Sequence, residues 1–259
     1  MLKKILMTIA VCVVCMVPAK ANNKSFMLIL GNHVTEHVNA NKRVVLASLT
    51  KMMTIDIVLG ELQSGHIHGT DMVTISRHAS SMPKSHLGLR AGSKISVNDA
   101  IKAVTVHSSN DIAVALAEFI SGSEDEFVKR MNLAALSYGM MNTTYFNATG
   151  LPGLHQNTST DCDLVRLYEH MQSYDLKDFG LEEWHYRGET YGNTNHLMSV
   201  KSHHMDFSKT GYIDASGYNL VASGLHQGVR YIVVITGCGS SAERDQIVSR
   251  KLHKLGRLS

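Results

Sequence analysis

Ser48-Leu49-Thr50-Lys51 sets a hydroxyl and an amine three residues apart at the start of an apolar run. On a helix, positions i and i+3 share a face, so the amine can reach the hydroxyl. A serine hydroxyl is a poor nucleophile until a neighbouring base takes its proton. Lysine serves as that base only when burial or nearby positive charge depresses its pKa. A second triplet, Ser108-Ser109-Asn110, falls in a break between two helical patterns, where Ser108 can relay a proton and Asn110 can hold a substrate amide or orient Lys51. A third, Lys209-Thr210-Gly211, sits near the end of a strand candidate. Lys209 and Thr210 suit a carboxylate by charge and hydrogen bond, and Gly211 lets a substrate backbone approach closely along an edge strand. Each triplet alone has a plainer meaning: a helix cap with a solvated lysine, a second cap, and an edge strand protected by lysine.

The surrounding pattern supplies elements that can position these groups. "SFMLILGNHVTEHVNANKRVV" reads as two strands with a turn near Gly31-Asn32. A helix is predicted from Ser48, with Leu49, Met52, Met53, Ile55, Val58, Leu59 and Leu62 on a wide apolar face, stopping at Ser64-Gly65. "MVTIS" and "SKISV" are short strand candidates. Asn98 is the expected cap of a helix over "DAIKAVTVHS", and "DIAVALAEFI" forms the next. Residues 124–138 and 161–173 are helical in pattern, with a loop-rich stretch over 143–159. Three strands follow in "HMDFSKTG", "GYNLVASGL" and "VRYIVVITGC", and a helix over Ala242 to Leu255 comes last. Strands at both ends with helices between imply one mixed domain, the N-terminal hairpin completing the C-terminal sheet.

Composition narrows the function classes. With 44% hydrophobic and 18% charged residues and a net charge of +3 in 259 residues, the chain is globular and carries no nucleic-acid-binding signature. Residues 1–21 combine Lys3 and Lys4, an apolar run from Ile5 to Val17, and Ala19-Lys20-Ala21, the pattern of a cleaved secretory signal. Cleavage after Ala21 removes three lysines and no acids, leaving a net charge of zero and two cysteines, Cys162 and Cys238. Two cysteines in a domain of this size fit two thiols better than a bridge. Of the 15 histidines, His66-x-His68 and His203-His204 are the best metal candidates, but neither lies in a fuller ligand set, so no metal is expected.

The three triplets in this order resemble those of the serine D-alanyl-D-alanine carboxypeptidases, the low-molecular-mass penicillin-binding proteins. "LASLTKMMT", "SSNDIAVALAE", "ATGLPGLHQNTSTDCDL" and "FSKTGYIDASGYNLVAS" carry the likeness, which spans roughly residues 25 to 256. It implies an α+β fold of the β-lactamase and DD-peptidase type, an antiparallel sheet flanked by helices plus an all-helical subdomain, over residues 22–259. It implies that Ser48 attacks a D-Ala-D-Ala peptide bond of a peptidoglycan stem peptide and that Lys51 is its general base. Ser108 then passes the proton to the departing D-alanine, and Asn110 positions substrate and Lys51. Lys209 and Thr210 hold the terminal carboxylate, and the backbone N–H groups of Ser48 and Tyr212, next to Gly211, form an oxyanion hole. No cofactor is needed, β-lactams are covalent inhibitors, and the place of action is the periplasm or cell envelope, in cell-wall remodelling.

Departures and rivals follow from the same likeness. Relatives carry a smaller residue at position 109. Many also have an arginine after the last strand; Ser240 falls at that place in "GCGSSAERD", with Arg244 as the substitute. The β-rich second domain and amphipathic anchor of many relatives are not expected here. A class A β-lactamase would need a Glu-x-x-Leu-Asn loop, and residues 139–175 contain none. A D,D-endopeptidase and a non-catalytic wall-binding protein are the remaining rivals, and "GYNLVAS" favours the carboxypeptidase.

Overall fold

Alternation of apolar residues on the C-terminal strands builds a sheet with two covered faces. In the computed structural model, which describes residues 24–255, strands β1 (Ser25–Leu30), β2 (His33–Val38), β3 (Met205–Ile213), β4 (Gly217–His226) and β5 (Val229–Cys238) form an antiparallel sheet in the order β2-β1-β5-β4-β3. The N-terminal hairpin does complete the C-terminal sheet, with Ser25 opposite Thr236 and Leu30 opposite Tyr231. Tyr231, Val233 and Ile235 of β5 point to one face with Leu220 and Ala222 of β4, and there pack on Val248, Leu252 and Leu255 of the last helix. Ile232, Val234 and Val221 point to the opposite face and the larger core. The period of two assigns every second side chain to each core.

The larger core is helical: α1 (Lys51–Gln63), α2 (Val97–Thr105), α3 (Asn110–Ser121), α4 (Glu124–Ser137) and α5 (Asp161–Met171), with α6 (Ser241–Leu255) alone across the sheet. The segment read as a secretory signal, residues 1–21, lies outside the described residues. Ser96, not Asn98, caps α2, its side chain accepting from Asp99 N. Glu183–Tyr186 and Glu189–Gly192 form a hairpin in which Trp184 is buried and stacks on Tyr186. Among the described residues no helix is long and apolar enough to cross a membrane. Cys162 and Cys238 are free thiols.

The apolar face predicted for α1 is really a whole circumference. Residues 51–58 are all buried, because α1 runs between the sheet and the other helices. Asp56 is therefore buried in mid-helix, where it accepts from His170 Nδ1 at 2.8 Å and Tyr138 OH at 2.9 Å. Burial raises its pKa, and those two donors pull it back. A carboxyl so placed needs both partners.

Candidate active site

The Ser48–Lys51 motif does not start as α-helix. Residues Ala47–Thr50 form a 3-10 turn, and Lys51 is the first residue of α1. Ala47 sits at φ +47°, a left-handed value that bends the chain sharply just before Ser48. Two glycines make room for this bend. A Cβ on Gly150 would stand 1.7 Å from the Ala47 carbonyl oxygen, and one on Gly211 would stand 2.8 Å from Leu46 O and 3.1 Å from Ser48 N. Gly211 of edge strand β3 thus admits the chain's own nucleophile turn, where the sequence suggested a substrate backbone.

Lys51 is fully buried, and its amine has three neighbours: Ser48 Oγ at 2.9 Å, Asn110 Oδ1 at 2.7 Å and Thr149 O at 2.8 Å. Burial, then the charge of Lys209, holds its pKa well below the ordinary lysine value. A neutral amine has two hydrogens and one lone pair. Two of its neighbours are carbonyl oxygens that only accept, so they take the hydrogens, and the lone pair faces the Ser48 hydroxyl. Asn110 is locked in the required orientation because its Nδ2 donates to Pro83 O at 2.9 Å. The Thr149 carbonyl belongs to the "ATGL" loop, and nothing in a side-chain motif could have pointed to it.

Ser108 lies in the break before α3, at φ +63°, and accepts from Lys209 Nζ at 2.9 Å. The Lys209 amine also donates to Thr210 O at 3.0 Å and is only 1% exposed. Burial pushes its pKa down to about 7. Lys209 therefore stands behind Ser108. Ser48, Ser108, Asn110, Thr210, Gly211 and Tyr212 together line one cleft of about 310 Å³, also bounded by Lys84, Ser85, Leu151, His196 and Arg244. The Thr210 hydroxyl is held by Thr194 Oγ1 at 2.6 Å.

Ser240 does not take the place of an arginine. It caps α6: its hydroxyl accepts from Glu243 N at 3.0 Å, while the Glu243 carboxylate accepts from Gly239 N, one residue before the cap, at 2.7 Å. Arg244, a turn later, reaches the cleft that Ser240 does not line. Asn219 of "GYNLVAS" is fully buried, donates toward Val45 O at 3.3 Å, and accepts from Gly237 N at 2.9 Å. It ties β4 to the chain leading into Ser48.

Ser109 points away from the cleft and is buried with no hydrogen-bond partner for its hydroxyl. Removing an unsatisfied buried hydroxyl favours the folded state, so Ser109→Ala is expected to stabilise by about 1 kcal/mol in urea unfolding and leave the cleft's chemistry unchanged. Of the histidine pairs, His66 faces Glu61 and His68 faces Asp71, while His203 is buried with no hydrogen bond to its ring nitrogens and its ring edge-on to His253. Among the described residues no three donors are grouped to hold a metal.

An antiparallel sheet under a helical layer, with a Ser–Lys pair at their junction and Lys-Thr-Gly on the edge strand, is the architecture of the penicillin-binding serine peptidases. The chain belongs to the D-alanyl-D-alanine carboxypeptidase family, whose model matches residues 15–240. It is 36% identical over 221 residues to the D-alanyl-D-alanine carboxypeptidase DacF of Bacillus subtilis (strain 168), covering 83% of this chain and 56% of that protein. A D-alanyl-D-alanine endopeptidase of Haemophilus influenzae is 29% identical, with 99% of this chain and 88% of that protein covered. Penicillin binding protein 5 of Haemophilus influenzae superposes with a TM-score of 0.84 at 33% identity, over 90% of this chain and 70% of that one. The chain spans little more than half the length of the DacF carboxypeptidase.

Proposed function

We propose that this protein is a serine D-Ala-D-Ala carboxypeptidase that trims peptidoglycan stem peptides through an acyl-enzyme on Ser48, and that β-lactams acylate the same oxygen. The observation that carries this reading is the Lys51 amine, buried, 2.9 Å from the Ser48 hydroxyl and held by two carbonyl acceptors, with burial and Lys209 lowering its pKa. Lys51 takes the Ser48 proton as Oγ bonds to the carbonyl carbon of the terminal peptide bond. The carbonyl oxygen becomes an anion held by the N–H groups of Ser48 and Tyr212. When the C–N bond breaks, Ser108 passes the proton from Lys51 to the leaving amine. Water, deprotonated by Lys51, then cleaves the ester and frees Ser48.

The terminal carboxylate of the substrate is read by the Thr210 hydroxyl and the Arg244 guanidinium, both at the cleft surface. Lys209 adds positive charge from behind Ser108, which favours both the carboxylate and a neutral Lys51. Residues 1–21 direct the mature chain, 22–259, to the cell envelope, where the substrate lies.

Mass spectrometry after benzylpenicillin treatment tests the reading: one adduct on the wild type and none on Ser48→Ala. A linear pentapeptide ending in D-Ala-D-Ala should lose one D-alanine. Faster cleavage of a cross-linked dimer would make the protein an endopeptidase. An absence of both adduct and turnover, with retained peptidoglycan binding, would make it a binding protein.

A further inference from the structure

Arg244 is a buried cation at the edge of a cleft. Its side chain is 3% exposed, and among the described residues its carboxylate partner is Asp245, the next residue, itself 18% exposed. A single oxygen, Asp245 Oδ1, accepts from Nε at 2.8 Å and lies 2.7 Å from Nη2. Nη1 donates, at a longer 3.4 Å, to the backbone oxygen of Asn219. These contacts occupy the side edge of the guanidinium and one outer hydrogen. Nη1 and Nη2 each keep an N–H that these contacts do not use, and Arg244 lines the cleft. Those two N–H groups have the fork spacing that a carboxylate accepts in two parallel bonds.

We propose that Asp245 is a positioning residue that aims Arg244 at the substrate's terminal carboxylate, an inference that rests on the carboxypeptidase reading above. A long arginine side chain loses rotamer freedom when it is fixed, and here Asp245 and Asn219 fix it before substrate arrives. Asp245 also has an opposing effect, because its negative charge repels an incoming anion. The geometry decides between the two. Asp245 sits on the side edge, while the substrate meets the end of the fork, so alignment outweighs repulsion. Ser240 supports the same arrangement from the other side: its backbone oxygen accepts from Arg244 N at 3.1 Å and seats the residue in the first turn of α6.

The experiment compares acylation by benzylpenicillin with acylation by its methyl ester, which keeps the reacting ring and lacks the carboxylate. Asp245→Ala should slow the acid about tenfold and the ester less than about twofold, because only the acid uses the aligned fork. Asp245→Asn keeps an acceptor oxygen at the same place and removes the charge, so its acid rate should equal or exceed that of the wild type. Arg244→Ala should lose the preference for the acid, and adding Asp245→Ala should cost nothing more. Equal slowing of acid and ester in Asp245→Ala would show a merely structural role. Faster acid acylation in both Asp245 variants would show a competing anion. Either result overturns the proposal. A wild type that acylates on Ser48 without preferring the acid would instead overturn the carboxylate role of Arg244, and the proposal with it.

Discussion

Lys51→Met is expected to slow acylation of Ser48 by benzylpenicillin by at least about a thousandfold, the range lost when a positioned general base is removed. Methionine is similar in length and has no basic lone pair, so Ser48 keeps its place and loses its proton acceptor. The same substitution should change the stability profile in a definite direction. Burial lowers the pKa of both Lys51 and Lys209 in the folded protein below the ordinary value of 10.5. At neutral pH the unfolded chain therefore binds more protons than the folded one, and stability rises with pH until both states are neutral above about 10.5. Methionine at position 51 removes one of these two titrations. Urea midpoints measured between pH 7 and pH 10 should climb less steeply in the variant, and at pH 7 the variant should be no less stable than the wild type. A steeper climb, or acylation within tenfold of the wild-type rate, would contradict the assignment of a neutral Lys51.

The largest loss of stability is expected from Gly150→Ala. A methyl group there would lie 1.7 Å from the Ala47 carbonyl oxygen, and φ at Gly150 is +83°, outside the range that side chains favour. Both atoms in conflict are backbone or fixed to backbone, so relief requires moving the nucleophile turn or the 147–151 loop. The cost should exceed about 3 kcal/mol, since a left-handed alanine adds about 1–2 kcal/mol to the overlap. Moving that loop also moves the Thr149 carbonyl away from Lys51, so any folded fraction should acylate poorly. A thermal melt paired with penicillin labelling reads both effects. Gly211→Ala should behave in the same way more mildly, because its closest contact would be 2.8 Å.

Some of this design was legible in the order of residues. Ser48 and Lys51 are three apart, a spacing that one helical turn brings together. The strands and helices that carry Ser108, Asn110 and Lys209 announce themselves by period, and Ser240-x-x-Glu243 has the spacing of a helix cap, although position alone suggested a missing arginine there. These are local signals, set by bonds and rotations within a few residues.

Other features were decided only by folding. Thr149 acts through a backbone oxygen, which every residue possesses, so its identity carries no sign of that use. Asp56 meets Tyr138 and His170 across separations of 82 and 114 residues. Gly211 looks like a concession to substrate until β3 is seen against the Ser48 turn. Arg244 became a cleft residue because α6 crosses the far face of the sheet with its first turn at the cleft's end. A sequence fixes which groups are available and how near neighbours face one another. Which distant groups share a dry, low-dielectric space, and so which amine is neutral, depends on packing that brings remote segments together.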